Sequence, residues 1–309
     1  MRFGGTAKEM DSATARLYIV DVFAERPYAG NQLAVFVSAS DLSDDTMQRL
    51  ASEMNYSETT FVAPEPEADG GYRVRIFTPS REIPFAGHPV LGTAWVVRHH
   101  LARTGLGSLR LNVQAGQLLV TFESAAGAGD AAWFLAPPAT FGSKVAPERI
   151  AAAVGLSAQD IAANAPVQQM TGGASAVIVP LRTLEALRRC RLDLQAFAPL
   201  AADGFPPLVY LFCNETRDPG NHLSARLFFD AHGVREDPAT GFAAGLLGAY
   251  LLEYGLSPGP TLSLRIEQGH EVRRPSVVML RAHRVGGSYE VRVGGQVIPV
   301  VHGELVSER

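Results

Sequence analysis

The chain of 309 residues has little of what marks several large classes of protein. It contains only two cysteines, Cys190 and Cys213, which lie far apart and outside any CxxC or cysteine/histidine ligand spacing. We therefore expect neither a disulfide framework nor a structural zinc site. The net charge is −4, and the lysines and arginines are scattered along the chain. Without a basic surface, the protein is not expected to bind nucleic acid.

Long apolar runs are missing as well. No run approaches the roughly 18 residues that a membrane-spanning helix needs, and residues 1–15 lack the apolar segment of a secretory signal. We therefore expect a cytoplasmic protein that does not associate with membranes. Residues 1–15, which are small and polar, are expected to form a flexible extension.

The motifs of the common cofactors and nucleophiles are also absent. The sequence has no GxGxxG and no GxxxxGK[ST], which argues against a nucleotide or dinucleotide. It has no HExxH and its histidines are dispersed, so a catalytic metal is not expected. GxSxG is missing and neither cysteine lies at a glycine turn, which removes the simplest nucleophiles. The sequence thus predicts no metal and no cofactor.

Two similar segments are the most informative feature that is present. They are IFTPSREIPFAGHPVLGTAWVV (76–97) and LFFDAHGVREDPATGFAAGLLGAYLL (227–252), and each reads as a strand, a Gly/Pro turn and a helix. Aligning Gly87 with Gly241 places His88 opposite Phe242, which indicates two half-chains of similar architecture. Each turn would direct the N-terminus of the helix that follows, with its free N–H groups and positive dipole, towards the space in front of the turn. If the halves face each other, an anion site lies between them.

The pattern of short strands around very apolar helices predicts an α+β fold. The helix over 242–254 has no polar side before Glu253, so protein must cover it on most sides. We expect two pseudo-symmetric domains, each a curled, mostly antiparallel sheet around a central apolar helix. Their predicted extents are 16–125 and 126–309, with 125–132 as the linker and the last residues able to pack back on the first domain.

Local signals predict several individual elements. Ser43 followed by acidic residues predicts the N-terminus of a helix over 44–54. Runs rich in β-branched and aromatic residues predict strands at 17–23 and 33–37, among others. The pairs Gly286-Gly287 and Gly294-Gly295 are each expected to form a hairpin turn.

Three residues could carry acid/base chemistry, and the local sequence leaves a structural alternative open for each. Glu58 precedes an apolar strand, where burial would raise its pKa, or it is a solvated strand-end glutamate. His88 lies at a helix N-terminus, whose dipole favours the neutral imidazole, or it is a capping residue. Asp237 lies ahead of the second helix and could orient a substrate or form an Asx turn.

The sequence also resembles the PhzF family of phenazine-biosynthesis-like isomerases. The resemblance covers about residues 17–305 and is carried by six blocks in the same order. They are VDVFAERPYAGNQLAVF (20–36), MNYSETTFV (54–62), RIFTPSREIPFAGHPVLGTA (75–94), EDPATGFAAG (236–245), EQGHEVRRPS (267–276) and VGGQVIPVVHGEL (293–305). The resemblance implies a diaminopimelate-epimerase-like fold with the active site between its two domains, and a homodimer.

The resemblance also implies a role for each candidate residue. Glu58 matches the proton-transferring glutamate, His88 belongs to the Gly-His turn, and Asp237 matches the substrate-orienting aspartate. The implied activity is a cofactor-independent isomerisation that moves a proton within a small cyclic or unsaturated carboxylate. The family's type reaction is the isomerisation of trans-2,3-dihydro-3-hydroxyanthranilate.

Backbone amides at the two turns are expected to bind the substrate carboxylate. The residues concerned are Gly87, Gly241 and Phe242. The family usually has a small polar residue, commonly serine, at the position of Phe242, and a phenyl ring cannot donate a hydrogen bond. Gln32 and Arg273 also depart from the family pattern, which has proline and glycine at these positions.

Two alternative functions remain open from the sequence. The first is a small-carboxylate-binding protein that has kept the fold and lost turnover, which Phe242 would favour. The second is an amino-acid racemase or epimerase of the same fold. That chemistry places two opposed thiols at the turns, whereas Cys190 and Cys213 lie elsewhere in the sequence.

Overall fold

The computed structural model describes residues 15–38, 42–102, 106–125, 128–229, 234–256 and 259–306. The extension expected over residues 1–15 lies outside the described residues except for Ala15. The six described α-helices are α1 (Asp44–Met54), α2 (Gly87–Val96), α3 (Pro147–Ala153), α4 (Leu184–Arg189), α5 (Leu194–Ala202) and α6 (Gly241–Glu253). One π-helical turn, Val97–Leu101, continues α2, and a 3₁₀ turn covers Ala158–Asp160.

Seventeen strands make up the sheet structure of the described residues. In the N-terminal part they are β1 (Arg16–Val22), β2 (Asn31–Val37), β3 (Glu58–Val62), β4 (Gly71–Phe77), β5 (Glu82–Ile83), β6 (Ser108–Val113), β7 (Gly116–Ala125) and β8 (Ala128–Leu135). The others are β9 (Thr140–Lys144), β10 (Gln168–Gly172), β11 (Ala174–Pro180), β12 (Val209–Cys213), β13 (Leu223–Phe229), β14 (Val234–Asp237), β15 (Thr261–Gln268), β16 (Ser276–Val285) and β17 (Ser288–Glu304).

Helix α2 lies inside a closed ring of strands. Hydrogen-bonded neighbours lead from β1 through β2, β3, β4, β6, β7 and β8 to β17, which pairs again with β1. The helix packs against most of these strands, and all of its residues except Trp95 are buried. This cover suits its largely apolar sequence, since a helix without a polar side is stable only when protein surrounds it.

Helix α6 is covered in a similar way by the later strands. It packs against β10, β11, β15, β16 and β17, and its residues up to Leu252 are buried except for Phe242. The parallel pairings β2 with β3 and β4 with β6 have counterparts in β11 with β12 and β13 with β15. Smaller apolar clusters lie under α1 and under α3, α4 and α5.

One predicted hairpin turn is wrong. Gly286 and Gly287 do separate β16 from β17, but Gly294 and Gly295 lie within β17. A Cβ atom on Gly294 would lie 2.3 Å from the Trp133 ring, and one on Gly295 would lie 2.5 Å from the Phe23 ring. Glycine is therefore required there by close packing against aromatic rings rather than by a turn.

Strand β17 runs from one group of strands to the other. Its first part pairs with β16 and its last part pairs with β1, so the C-terminal strand closes the ring around α2. The segment 125–132, expected to be a linker, is largely paired strand, because β8 begins at Ala128 and pairs with both β7 and β17. None of the helices in the described residues is long and apolar enough to cross a membrane.

Candidate active site

The N-termini of α2 and α6 meet end to end. A Cβ atom on Gly87 would lie 3.1 Å from the Cα atom of Gly241 and 3.2 Å from the backbone nitrogen of Phe242. The rings of Phe23 and Phe134 lie against the same contact. Neither helix has a hydrogen bond from a capping side chain. The unpaired N–H groups and the positive dipole ends of two helices therefore converge at one point.

Glu58 is buried beside this point. Helix α1 ends where Asn55 adopts a left-handed backbone (φ 52°), and the chain then enters β3 at Glu58. The glutamate side chain is only about 8 % exposed. Burial raises its pKa well above the usual value, and the nearby charge of Asp237 raises it further. The carboxyl group is thus suited to exchange a proton at a higher pH than an exposed glutamate.

His88 stands next to Glu58 as the second residue of α2. Its Nδ1 atom lies 3.5 Å from Glu58 Oε2 and 3.2 Å from the side-chain nitrogen of Asn31. Burial lowers the pKa of His88 to about 3, so the imidazole is neutral near pH 7. Among the described residues, no group accepts or donates a hydrogen bond at its buried Nε2 atom.

Asp237 is the last residue of β14 and is also buried. Its Oδ1 atom accepts hydrogen bonds from Asn31 (2.7 Å) and Ser57 (3.3 Å), and its Oδ2 atom accepts one from the Thr240 hydroxyl (2.5 Å). Burial raises the pKa of Asp237 to about 6, while these three donors oppose the rise. The aspartate is therefore held as a hydrogen-bonded anion above that pH.

The structure thus brings Glu58, His88 and Asp237 together with Gly87 and Gly241. These five come from β3, β14 and the starts of α2 and α6. The sixth predicted residue, Phe242, follows Gly241, and its half-buried ring packs against the apolar core. Its backbone nitrogen lies at the contact of the two helices, whereas its side chain offers no polar group.

Besides Ser57, three further residues complete the cluster, and no sequence motif singles out any of the four. Asn31 also donates to the carbonyl of Ala239 (3.0 Å). Gln268 donates to the backbone carbonyl of Asp237 (2.8 Å) and to the Thr240 hydroxyl (3.0 Å). Thr240 stands at the N-cap position of α6, but its hydroxyl is bound to Asp237. The only signal for these residues was their position inside blocks that carry the family resemblance.

A cleft opens next to the cluster. It has a volume of about 420 Å³ and is lined from one side by Asn31, Asn55 and Ser57 and from the other by Glu236 and Pro238, among others. A cleft of this size can hold a small organic molecule. Within the described residues, no group of three or more histidine, cysteine and acidic side chains could hold a metal ion.

The two cysteines lie in the separate apolar cluster under α3, α4 and α5. Both are buried, and burial raises the pKa of Cys190 to about 12 and that of Cys213 to about 11. The described structure therefore does not place a thiol pair at the two glycine turns.

The fold is that of the PhzF proteins. A solved PhzF-family structure from Bacillus anthracis is 25 % identical and superposes with a TM-score of 0.87, over 96 % of this chain and 100 % of that one. A structure described as a predicted epimerase from Pseudomonas aeruginosa is 34 % identical with a TM-score of 0.79, over 95 % of this chain and 100 % of that one.

The chain belongs to the PhzC-PhzF family of phenazine biosynthesis-like proteins, whose family model matches residues 20–303. The trans-2,3-dihydro-3-hydroxyanthranilate isomerase of Pseudomonas aeruginosa is 37 % identical over 271 residues, which cover 88 % of this chain and 91 % of that protein. The predicted family, and with it the predicted enzyme class of PhzF-type isomerases, is confirmed.

Proposed function

We propose that this protein is a cofactor-independent isomerase that moves a proton within a small cyclic or unsaturated carboxylate. Glu58 would serve as its single acid/base group, in an active site between two pseudo-symmetric halves. The observation that carries the proposal is the meeting of Glu58, His88 and Asp237. These residues are distant in sequence, yet they lie buried together where two helix N-termini converge.

In the proposed reaction, Glu58 takes a proton from an activated sp³ carbon of the substrate. The electron pair of the broken C–H bond enters the conjugated system, and the same carboxyl group returns the proton to another carbon of that system. A raised pKa suits this role because general acid/base catalysis is most efficient when the pKa of the group lies near the working pH. His88 and Asp237 would orient the polar groups of the substrate.

The substrate carboxylate would be held by the N-termini of α2 and α6. Uncapped N–H groups and helix dipoles favour an anion at this point. The substrate in the name of the Pseudomonas aeruginosa relative, trans-2,3-dihydro-3-hydroxyanthranilate, is the first compound to test. Because Phe242 lacks the hydroxyl that the family usually has there, we propose the reaction class ahead of this particular substrate.

The test is the substitution Glu58→Gln, which keeps the shape of the side chain and removes its acid/base capacity. We expect exchange of solvent deuterium into a bound substrate to fall by about 100-fold or more. Glu53→Gln, which alters an exposed glutamate of α1, is the matched control and should exchange at the original rate. Unchanged exchange in Glu58→Gln would show that Glu58 is not the acid/base group.

Phe242 favours a second candidate function, a carboxylate-binding protein without turnover. Its ring occupies the position at which a hydroxyl would contact the substrate, and it packs half-buried against the core. A panel of cyclic and amino carboxylates separates the two functions. If compounds of the panel bound but none of them exchanged deuterium, the binding protein would be favoured. Exchange of deuterium into any of them would favour the isomerase.

The predicted homodimer and the cytoplasmic location rest on the family resemblance and on composition, and we propose both on that basis. Light scattering of the purified protein at micromolar concentration tests the dimer. A mass near 33.0 kDa, that of one chain, would contradict it.

A further inference from the structure

The side-chain nitrogen of Asn31 contacts two oxygen acceptors and a ring nitrogen of His88. It lies 2.7 Å from Asp237 Oδ1, 3.0 Å from the carbonyl oxygen of Ala239 and 3.2 Å from His88 Nδ1. Asn31 begins β2 and is 1 % exposed, so these contacts are largely shielded from solvent. The residue joins the N-terminal strands to the turn that precedes α6.

The chemistry of the neighbours decides the orientation of this amide. An amide NH₂ group can only donate hydrogen bonds, whereas the amide oxygen can only accept them. If the oxygen faced the cluster, it would oppose the Asp237 carboxylate and the Ala239 carbonyl, which are both acceptors. The nitrogen must therefore face the cluster. Because the amide nitrogen has no lone pair to offer, a proton on His88 Nδ1 would find no acceptor on Asn31, so this contact favours a lone pair at Nδ1. The backbone of Gln32 also forms a hydrogen bond with the His88 ring, which raises the pKa of His88 against the effect of burial.

The contacts of the other groups agree with this assignment. Asp237 receives donors from Asn31, Ser57 and Thr240, which favour its charged form. In the described part of the chain no donor forms a hydrogen bond with Glu58, whose Oε2 atom lies 3.5 Å from His88 Nδ1. A proton on Glu58 would point at that nitrogen lone pair, whereas a proton on Nδ1 would collide with the N–H group of Asn31.

We propose that Asn31 is the positioning residue that assigns the protons of this cluster. It keeps Asp237 ionised and His88 Nδ1 unprotonated, so that Glu58 is the group that takes up a proton and returns it. The neutral imidazole then carries its hydrogen on Nε2, the buried atom without a partner among the described residues. The proposal rests on the proposed role of Glu58 and adds the residue that makes this role selective.

Other ionisable groups near the cluster bear on its titration. Glu236 precedes Asp237 on β14, and its charge adds to the upward shift of the Asp237 pKa. Tyr210 of β12 is fully buried, and burial together with the charge of Asp237 raises its pKa, so it stays neutral. Neither group donates a hydrogen bond to Glu58, His88 or Asp237 in the described structure.

The decisive measurement is the tautomer of His88 in protein labelled with ¹⁵N-histidine. The variant His88→Gln identifies the resonances of this ring among those of the eight histidines. We expect Nδ1 of the unaltered protein to resonate as an unprotonated nitrogen and Nε2 as a protonated one, at pH 7 and in the absence of substrate. A protonated Nδ1 would overturn the proposal.

The substitution Asn31→Asp tests whether Asn31 sets the His88 tautomer, because it keeps the shape of the side chain and replaces the NH₂ donor by an oxygen. We expect Nδ1 of His88 to become protonated, and kcat for deuterium exchange to fall by about 10- to 100-fold, since a hydrogen bond to a charged group is lost. The limb of the pH profile that reports Asp237 should move to higher pH, because a third carboxyl group then shares the site.

Ser57→Ala is the matched control. It removes the longer donor to the same oxygen of Asp237 and has no hydrogen bond with His88, so it should lower kcat less and leave the His88 tautomer unchanged. The same tautomer in Asn31→Asp as in the unaltered protein would contradict the proposal. If Asn31→Asp does not fold, Asn31→Ala, which also removes the donor, replaces it with the same expected direction for the His88 tautomer.

The tautomer measurement is independent of turnover. If Glu58→Gln still exchanged deuterium while His88 carried its proton on Nε2, the role of Glu58 would be wrong and the proton assignment by Asn31 would stand. If Nδ1 were protonated while Glu58→Gln abolished exchange, the proposed function would stand and the role of Asn31 would be wrong.

Discussion

The starts of α2 and α6 share a backbone plan and differ in their chemistry. Each helix begins at a glycine without a side-chain cap, and the two glycines touch. Beside the first helix, Glu58 is buried, and its carboxyl group lies 3.5 Å from His88 Nδ1. Beside the second, Asp237 is equally buried but accepts three hydrogen bonds. The hydrogen-bond donors thus favour the charged form of one carboxyl group and leave the other without this stabilisation.

This difference is the physical basis for dividing their roles. Burial raises the pKa of both groups, and the like charge of Asp237 raises that of Glu58 further. The donors at Asp237 act against its shift, so Glu58 is the carboxyl group of the two that takes up a proton first as the pH falls. Pairs of titratable groups whose surroundings push their pKa values apart commonly divide acid and base duties in this way.

The largest expected effect comes from removing the charge of the second carboxyl group by Asp237→Asn. We expect turnover to fall by about 100-fold, since the fixed anion that orients the substrate is lost. We expect stability at pH 8 to rise by about 1–3 kcal/mol at the same time, because a buried charge is removed. Chemical denaturation at pH 8 and the deuterium-exchange assay measure the two effects.

The direction of this change in stability follows from the linkage between proton binding and folding. The pKa of Asp237 is about 6 in the folded protein and 3.8 for an ordinary aspartate, so the folded state holds the proton to higher pH. Stability therefore falls as the pH rises from about 4 to about 6, and the penalty is complete above that window. The exposed Asp203 provides the control Asp203→Asn. A less stable Asp237→Asn at pH 8 would mean that the donors outweigh the burial.

His88 should make the protein sensitive to acid. Its pKa is about 3 when folded and 6.5 ordinarily, so below pH 6.5 the unfolded chain binds a proton that the folded chain does not. Stability is therefore lost as the pH falls from 6.5 towards 3. Between pH 7.5 and pH 4.5, the free energy of unfolding should fall by about 2 kcal/mol less in His88→Gln than in the unaltered protein.

Denaturant unfolding at the two pH values measures this difference. The control His283→Gln, an exposed histidine of β16, should not change the acid sensitivity. Equal acid loss in His88→Gln and in the unaltered protein would show that His88 is not kept neutral by its burial. The comparison of the two helix starts would then lose one of its chemical differences.

Much of the local structure could be predicted because its causes are local. Ser43 accepts a hydrogen bond from the backbone of Thr46 and starts α1, as its capping pattern indicates. The apolar sequence of α6 predicts a buried helix, and the candidates Glu58, His88 and Asp237 were found from their places beside turns. In each case a few neighbouring residues determine the outcome.

The remaining features depend on residues that are far apart in sequence. Asn31 reads as part of a turn until Asp237, 206 positions later, is placed against it. The part that Gln268 plays in the site is visible only in the fold, where its side-chain nitrogen donates a hydrogen bond to the Thr240 hydroxyl. The pair Gly294-Gly295 carries the signature of a hairpin, yet its glycines are required by the Trp133 and Phe23 rings of other strands. Such contacts follow from the tertiary structure alone.

Gly87→Ala tests the contact between the two helices. The added Cβ atom would lie 3.1 Å from Gly241 Cα and 3.2 Å from the Phe134 ring, which is closer than ordinary van der Waals contact. We expect a loss of about 1–2 kcal/mol in the free energy of unfolding, because overpacking forces the helix ends apart. The control is Gly107→Ala, where no atom lies within 4 Å of the added Cβ. Equal stability of the two variants would show that the helix ends separate easily.

The smallest expected effect concerns Phe242, the second residue of α6, where α2 has His88. Phe242→Ser adds a hydroxyl beside the uncapped N–H groups of α6, and one extra hydrogen bond to a carboxylate should lower KM for a carboxylate substrate by about 3- to 10-fold. Phe242→Ala removes the same ring without adding a donor, so the serine and alanine variants differ only in the hydroxyl. Equal KM values for the two would show that the substrate carboxylate does not reach this side chain. The second helix would then contribute through its backbone alone, and the chemical difference between the two helix starts would reside in the donors that Asp237 has and Glu58 lacks among the described residues.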